Sequence, residues 1–185
     1  MQFNKNKNYM DGKKGFIFDL DGTLVDSMHC WRSFDWNIQT VEDAYKIMIP
    51  LYQSEIMDKV DSVESLEKFN QMGIKCCVAT ATRTTICKPC IERVGIMPLI
   101  EFILCSEDVK CNKTRPDIYF EAAKRMGLEP SETIVFEDQL YTTETAKNAG
   151  FTVVAIHDKQ SEINADAIKA IADDYIYTYS ELFEA

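Results

Sequence analysis

Along this chain, short runs of apolar residues alternate with stretches in which apolar positions recur every three or four residues. The runs are GFIFDL (15–20), KCCVAT (75–80), EFILCS (101–106), TIVFED (133–138) and FTVVAI (151–156). Each is nearly continuous in apolar residues and lacks the alternation of a strand with one wet face. Each therefore predicts a strand covered by helices on both sides. The intervening period is helical, which predicts a βαβ rhythm and a doubly wound parallel α/β sheet with a Rossmann-like core. Helix-end signals agree with that reading. The Asp61 and Glu64 spacing predicts a capping box, Pro116 suits a first helical position, and Gly127 and Gly150 predict left-handed C-terminal caps.

The rhythm breaks between Ser27 and about Asp58, where two helical patterns follow each other with no strand between them. Met28, Trp31, Phe34 and Ile38 share one spacing, Val41, Tyr45, Met48, Tyr52 and Ile56 another, and Pro50 predicts a kink. The expected division is a flexible leader at 1–14, an α/β core over 15–27 and 58–185, and a short helical cap inserted at 28–57. The apolar stripes of the insertion read first as core-facing and second as a lid or contact surface. The leader carries Lys and Asn without an apolar stretch, so it predicts a solvated segment and no secretory signal.

Composition narrows the class. Of 185 residues, 46% are hydrophobic and 27% charged, as in ordinary globular domains. No apolar run approaches the roughly 18 residues of a membrane helix. Seven cysteines, an odd number without a small-scaffold pattern, predict reduced thiols and a cytoplasmic location. The formal net charge of −10 works against nucleic acid and anionic membranes as partners. It also raises a question for any anionic substrate, because something local must reverse the field, and a divalent cation with a positioned Lys does so directly.

Ligand-binding sheets of this type work beyond the carboxyl ends of their strands. Here the first strand runs into Asp19-Leu20-Asp21-Gly22-Thr23, the second ends in Thr80, the fourth in Glu137-Asp138, and Lys113 stands in the loop after the third. Residues two apart on an extended segment point the same way, so Asp19 and Asp21 share a face. Gly22 permits a tight turn with backbone N–H groups facing an anion. Several carboxylates in one crevice repel each other unless a cation is present, and an all-oxygen set suits Mg²⁺.

These residues carry a resemblance. FDLDGTLVDS (18–27) resembles the first motif of the haloacid-dehalogenase-like superfamily, and VATAT (78–82), KTRPDIY (113–119) and VFEDQLYTTETAKNAGF (135–151) continue it. The branch it resembles most contains phosphoglycolate-phosphatase-like and β-phosphoglucomutase-like members. The resemblance implies that Asp19 is the nucleophile and Asp21 the general acid and base. It implies that Thr80 and Lys113 hold the transferring phosphoryl group, with Gly22, Thr23 and Ala81 in the same phosphate-binding loops. Asp138, with Glu137 beside it, would bind Mg²⁺ together with Asp19 and the main-chain carbonyl of Asp21. The expected function is Mg²⁺-dependent hydrolysis of a small phosphate ester, such as a sugar phosphate or phosphoglycolate, through an aspartyl-phosphate. The alternatives are a β-phosphoglucomutase-like phosphotransferase and a non-catalytic binding or oligomerising protein, with a dimer through the cap as one form.

Some positions depart from the family pattern. Gln139 stands where Ser is common, Thr142 where Gly is common, the cap has room for about two helices instead of four or more, and Pro89 falls inside an expected helix. A short cap weakens the mutase reading, because moving a phosphoryl group between sugar positions requires excluding water. Asp21 disfavours a dehalogenase, no GxxxxGK[ST] supports a P-loop, and a phospho-receiver would carry its acids in the opposite order. Cys87 and Cys90 have CxxC spacing without thioredoxin-like context, and Cys105, Cys111, His29 and His157 supply no zinc pattern. His29 reads as an ordinary helix residue before it reads as a substrate neighbour. A non-catalytic binder would expose Trp31, Trp36 and Tyr52.

Overall fold

The computed structural model describes residues 2–32 and 40–183. Phe34 and Ile38, assigned above to a helical stripe, and Trp36, named for the binder reading, lie outside the described residues. The six-stranded sheet consists of β1 (Gly15–Phe18), β2 (Lys75–Thr80), β3 (Ile103–Cys105), β4 (Thr133–Glu137), β5 (Thr152–Ile156) and β6 (Asp174–Ile176). All pairings are parallel, in the order β3-β2-β1-β4-β5-β6. The chain leaves β1 in one direction through β2 and β3, then returns to β4 on the other side of β1. The switch point therefore falls between β1 and β4, where a crevice opens beyond the carboxyl ends.

The helices are α1 (Met28–Arg32), α2 (Val41–Ser54), α3 (Ser62–Gln71), α4 (Thr84–Arg93), α5 (Asp117–Met126), α6 (Leu140–Asn148) and α7 (Ala165–Ile171). They cover both faces, and strand residues divide accordingly. Phe16, Phe18, Ile134 and Phe136 join one buried cluster, while Ile17 and Val135 join the other with Tyr119 and Phe151. Phe18 stacks on Phe136 across the switch point, centroids 4.6 Å apart. Gly127 and Gly150 adopt φ of 71° and 89° after their helices, as left-handed caps require.

Several expectations change. The leader is anchored to the body at several points, while Asn6, Asn8, Asp11 and Lys14 stay exposed. Phe3 bridges to Phe183 and stacks on it, Met10 is buried, and Lys7 reaches Asp174 of β6 at 2.5 Å. Strand β6 itself was not expected, because three residues reading Asp-Tyr-Ile at a sheet edge give no apolar run. Asp61 caps nothing with its side chain. It sits at φ 58°, and its carboxylate accepts from the backbone of Tyr179 and Ser180 at 3.0 and 2.9 Å, tying down the C-terminal segment. Pro116 falls one residue earlier than expected, at the N-cap of α5.

Pro50 and Pro89 lie inside α2 and α4, and neither ends its helix. The carbonyls they leave without an N–H partner belong to Lys46 and Thr85, both exposed, where water can serve. Met48, Tyr52 and Ile56 join the same core cluster as Phe18, so one side of α2 and the turn after it are packed into the body. Tyr52 is fully buried and Trp31 is half-buried, so neither is the exposed aromatic that the binder reading required, and Trp36 lies outside the described residues. No helix among the described residues is long and apolar enough to cross a membrane.

Candidate active site

Asp19 follows β1 directly, its N–H donating to the Phe136 carbonyl at 2.9 Å, which extends the β1/β4 ladder by one step. That step delivers its carboxylate beside the end of β4. Lys113, buried on the loop before α5, donates to Asp19 Oδ1 at 2.5 Å and to Glu137 Oε1 at 2.7 Å. Glu137 is fully engaged, with Tyr119 donating to Oε1 at 2.6 Å and Thr142 to Oε2 at 2.8 Å. Asp138 is only half engaged. Its Oδ2 accepts from Gln139 Nε2 at 2.5 Å and Ser161 Oγ at 3.0 Å, while Oδ1 is buried with no partner among the described residues.

A buried carboxylate oxygen without a donor is costly unless a cation meets it. One ligand atom each from Asp19, Glu137 and Asp138 lies within 4.8 Å of the others, so the set fits a hard divalent ion. Gly22 makes this packing possible. At φ +89°, a Cβ there would come 2.5 Å from Asp138 Oδ2 and 2.7 Å from Met28 Cγ. The expectation that the Gly22 N–H faces an anion is not met, because it donates to the Val25 carbonyl at 2.9 Å and the Thr23 N–H donates to Leu20 at 3.2 Å. The Thr23 side chain is buried, and its carbonyl accepts from Tyr179 at 3.1 Å.

Asp21 lines the same cavity and is held by three hydroxyls. Ser27 Oγ donates to Oδ1 at 2.5 Å, the Tyr52 hydroxyl to the same oxygen, and Thr82 Oγ1 to Oδ2 at 2.7 Å. None of these three was singled out for Asp21 from the sequence. Ser27 and Thr82 lie within quoted motifs, whereas Tyr52 was named only for a helical stripe and for the binder reading. Thr80 is fully buried, with Oγ1 accepting from the Thr82 N–H at 3.0 Å, and it is Ala81 and Thr82 that reach the cavity wall. The cavity is about 250 Å³, with Met28, Trp31 and Tyr45 as its roof. His29 pairs outside it with Asp26 at 3.4 Å, and Cys87 and Cys90 are buried in α4.

Comparison with known proteins agrees with this geometry. The family model for haloacid dehalogenase-like hydrolases matches residues 33–156. The chain belongs to that family. Among relatives, it is 24% identical over 179 residues to the fructose-1-phosphate phosphatase YqaB of Escherichia coli, covering 77% of this chain and 95% of that one. It is 28% identical over 195 residues to the validoxylamine A 7′-phosphate phosphatase of Streptomyces hygroscopicus, covering 82% and 91%. Its fold matches CbbY from Rhodobacter sphaeroides with a TM-score of 0.73 at 18% identity, covering 91% and 96%. The β-phosphoglucomutase-like protein of Thermotoga maritima matches at 0.72 and 18%, covering 91% and 96%. The relatives are phosphatases of the same family, and the solved structures share the fold.

Within that family, this chain's departures have visible work. Gln139 donates to Asp138 and to Ser161 at 2.6 Å, and Thr142 holds Glu137 while its hydroxyl also reaches the Gln139 carbonyl at 2.9 Å. Burial raises the Asp19 pKa well above the carboxylate range, with Glu137, Asp138 and Asp21 adding to it and Lys113 opposing. Burial and the Glu137 charge push Asp138 to about 7. Burial works against the Lys113 ammonium, but Asp19 and Glu137 outweigh it and hold the proton on. A divalent cation would relieve both raised carboxylates.

Proposed function

We propose that this hydrolase is a Mg²⁺-dependent phosphatase of small phosphate esters that works through an aspartyl-phosphate on Asp19. The observation that carries the reading is the buried row Asp19, Lys113, Glu137, with the unpartnered Asp138 oxygen beside it. Asp19, Asp138 and the main-chain carbonyl of Asp21 would hold the ion, which supplies charge neutralisation for the phosphoryl oxygens. Glu137, with donors on both oxygens, serves as the anchor of Lys113.

Asp19 attacks phosphorus in line and the ester bond breaks, leaving a phosphorylated carboxylate and splitting one difficult displacement into two. Lys113 balances charge on the equatorial oxygens as they pass through the transition state. Asp21 gives its proton to the leaving oxygen and then takes one from the water that attacks the phosphorylated Asp19, releasing phosphate. Ser27, Tyr52 and Thr82 fix its carboxylate for both transfers. The phosphatases among the relatives support this reading over phosphoryl transfer between sugar positions.

The test is phosphate release from p-nitrophenyl phosphate and a panel of sugar phosphates, with and without Mg²⁺, for wild type and Asp19→Asn. Mg²⁺-dependent turnover that the variant loses is the expected result. Equal, negligible rates in both proteins would overturn the proposal.

A further inference from the structure

Asp138, just past β4, is held through one oxygen. Its Oδ2 accepts from Gln139 Nε2 at 2.5 Å and from Ser161 Oγ at 3.0 Å, and the Gln139 amide also donates to Ser161 Oγ at 2.6 Å. The three groups close a triangle in which every proton is used. The amide gives one hydrogen to the carboxylate and one to the hydroxyl, and the hydroxyl gives its own to the carboxylate. Ser, common in the family where Gln139 stands, carries a single side-chain proton and could serve only one of these partners. Oδ1 is left buried with no partner among the described residues, on a carboxylate grouped with Asp19 and Glu137.

Ser161 is itself anchored away from the site. It is buried in the loop after β5, and its N–H donates to the Asp158 carbonyl at 3.0 Å. The buried Asp158 carboxylate pairs with Lys59 at 3.0 Å, and the same ammonium donates to the His157 carbonyl at 2.7 Å. The Lys59 N–H donates in turn to the Leu24 carbonyl at 2.9 Å, so the β5 loop is moored to the segment that follows Asp19 and Asp21.

We infer that Gln139 and Ser161 are positioning residues for the cation, fixing which oxygen of Asp138 faces it. This deepens the Mg²⁺ reading and rests on it. A carboxylate turns about its Cβ–Cγ bond in a broad, two-fold well, so its oxygens are equivalent until neighbours distinguish them. Two donors on Oδ2, one of them moored through Asp158 and Lys59, make that distinction and reserve Oδ1 for the ion. Outer donors of this kind are worth roughly 10- to 100-fold in metal affinity.

The test is calorimetric titration of the metal-free protein with Mg²⁺, for wild type, Ser161→Ala, Gln139→Met and the double variant, with metal-free thermal melts to show that each is folded. Gln139 is half-buried at the head of α6, so its variant tests the triangle even where Ser161→Ala folds poorly. Each single variant should bind Mg²⁺ about tenfold more weakly, and the double variant up to about 100-fold. The Mg²⁺ concentration giving half-maximal hydrolysis of p-nitrophenyl phosphate should rise in the same ratio. A purely structural role predicts the opposite pattern, lower melting temperatures with unchanged Mg²⁺ affinity. Folded variants that bind Mg²⁺ as tightly as wild type therefore overturn the inference and leave the phosphatase reading standing. Wild type that binds Mg²⁺ but hydrolyses no ester overturns the phosphatase reading, and the affinity ratios still decide the inference. Wild type that binds no Mg²⁺ overturns both.

Discussion

The floor and the roof of the cavity are built on different principles. The floor is charged and buried, delivered by the ends of β1 and β4 and by the Lys113 loop, with its groups locked to one another at 2.5 to 2.8 Å. The roof is aromatic and helical, supplied by α1 and α2, and it touches the floor through the Tyr52 hydroxyl on Asp21. Trp31 Nε1 donates in turn to Tyr52 at 3.1 Å, so roof packing and acid placement are linked. The difference separates charged groups carried on strand ends from an aromatic cover carried on a separate pair of helices.

The sharpest way to break the floor is Lys113→Met. It leaves Asp19 and Glu137 buried without a counter-charge, so phosphatase activity should fall by about 10³-fold, and stability near neutral pH by about 3 kcal/mol, read by denaturant melts. Metal removal tests the floor next. A carboxyl raised from 3.8 to about 7 stabilises the fold at low pH, and that contribution is lost as pH rises through 7. Metal-free wild type should therefore lose on the order of 2 kcal/mol relative to Asp138→Asn between about pH 4 and pH 8. Mg²⁺ should restore wild type and leave the variant unmoved in thermal melts.

Tyr52→Phe sharpens the comparison from the roof side. Loss of one donor to Asp21 should lower kcat/KM for alkyl phosphates about tenfold, and less for p-nitrophenyl phosphate, whose leaving group needs no proton. Equal losses on both substrates would reduce Tyr52 to a packing role. The smallest effect lies beneath α2, where Cys90 Sγ donates to the Ile56 carbonyl at 3.4 Å. Burial pushes the Cys90 thiol to about 11 and Cys87 higher, so at pH 8 both should resist alkylation while half-buried Cys111 reacts, as peptide mass mapping would show.

The floor was legible in sequence because strand ends in a doubly wound sheet converge, so Asp19, Lys113, Glu137 and Asp138 could be placed together from their positions alone. Strands β1 to β5 were equally legible, each an apolar run bounded by polar residues. The roof was not, since a helical stripe predicts a buried face but not that Tyr52 on it would meet Asp21, 31 residues away. The anchors of the leader and the partners of Asp61 were missed for a similar reason. Phe3, Lys7 and Asp61 find their partners near the C-terminal end, and no local pattern encodes such distant pairings. Gly22 was singled out correctly as special, but the space it yields is taken by Asp138 instead of by an anion-facing N–H.

The most direct test of the account is to trap the covalent intermediate. Wild type mixed with substrate and Mg²⁺ is acid-quenched, reduced with borohydride and mapped by mass spectrometry. The account predicts reduction of one acyl-phosphate, converting residue 19 from aspartate to homoserine, and none in Asp19→Asn. Rapid Mg²⁺-dependent turnover with residue 19 unmodified at every quench time, or modification at Asp21 or Asp138 instead, would contradict it.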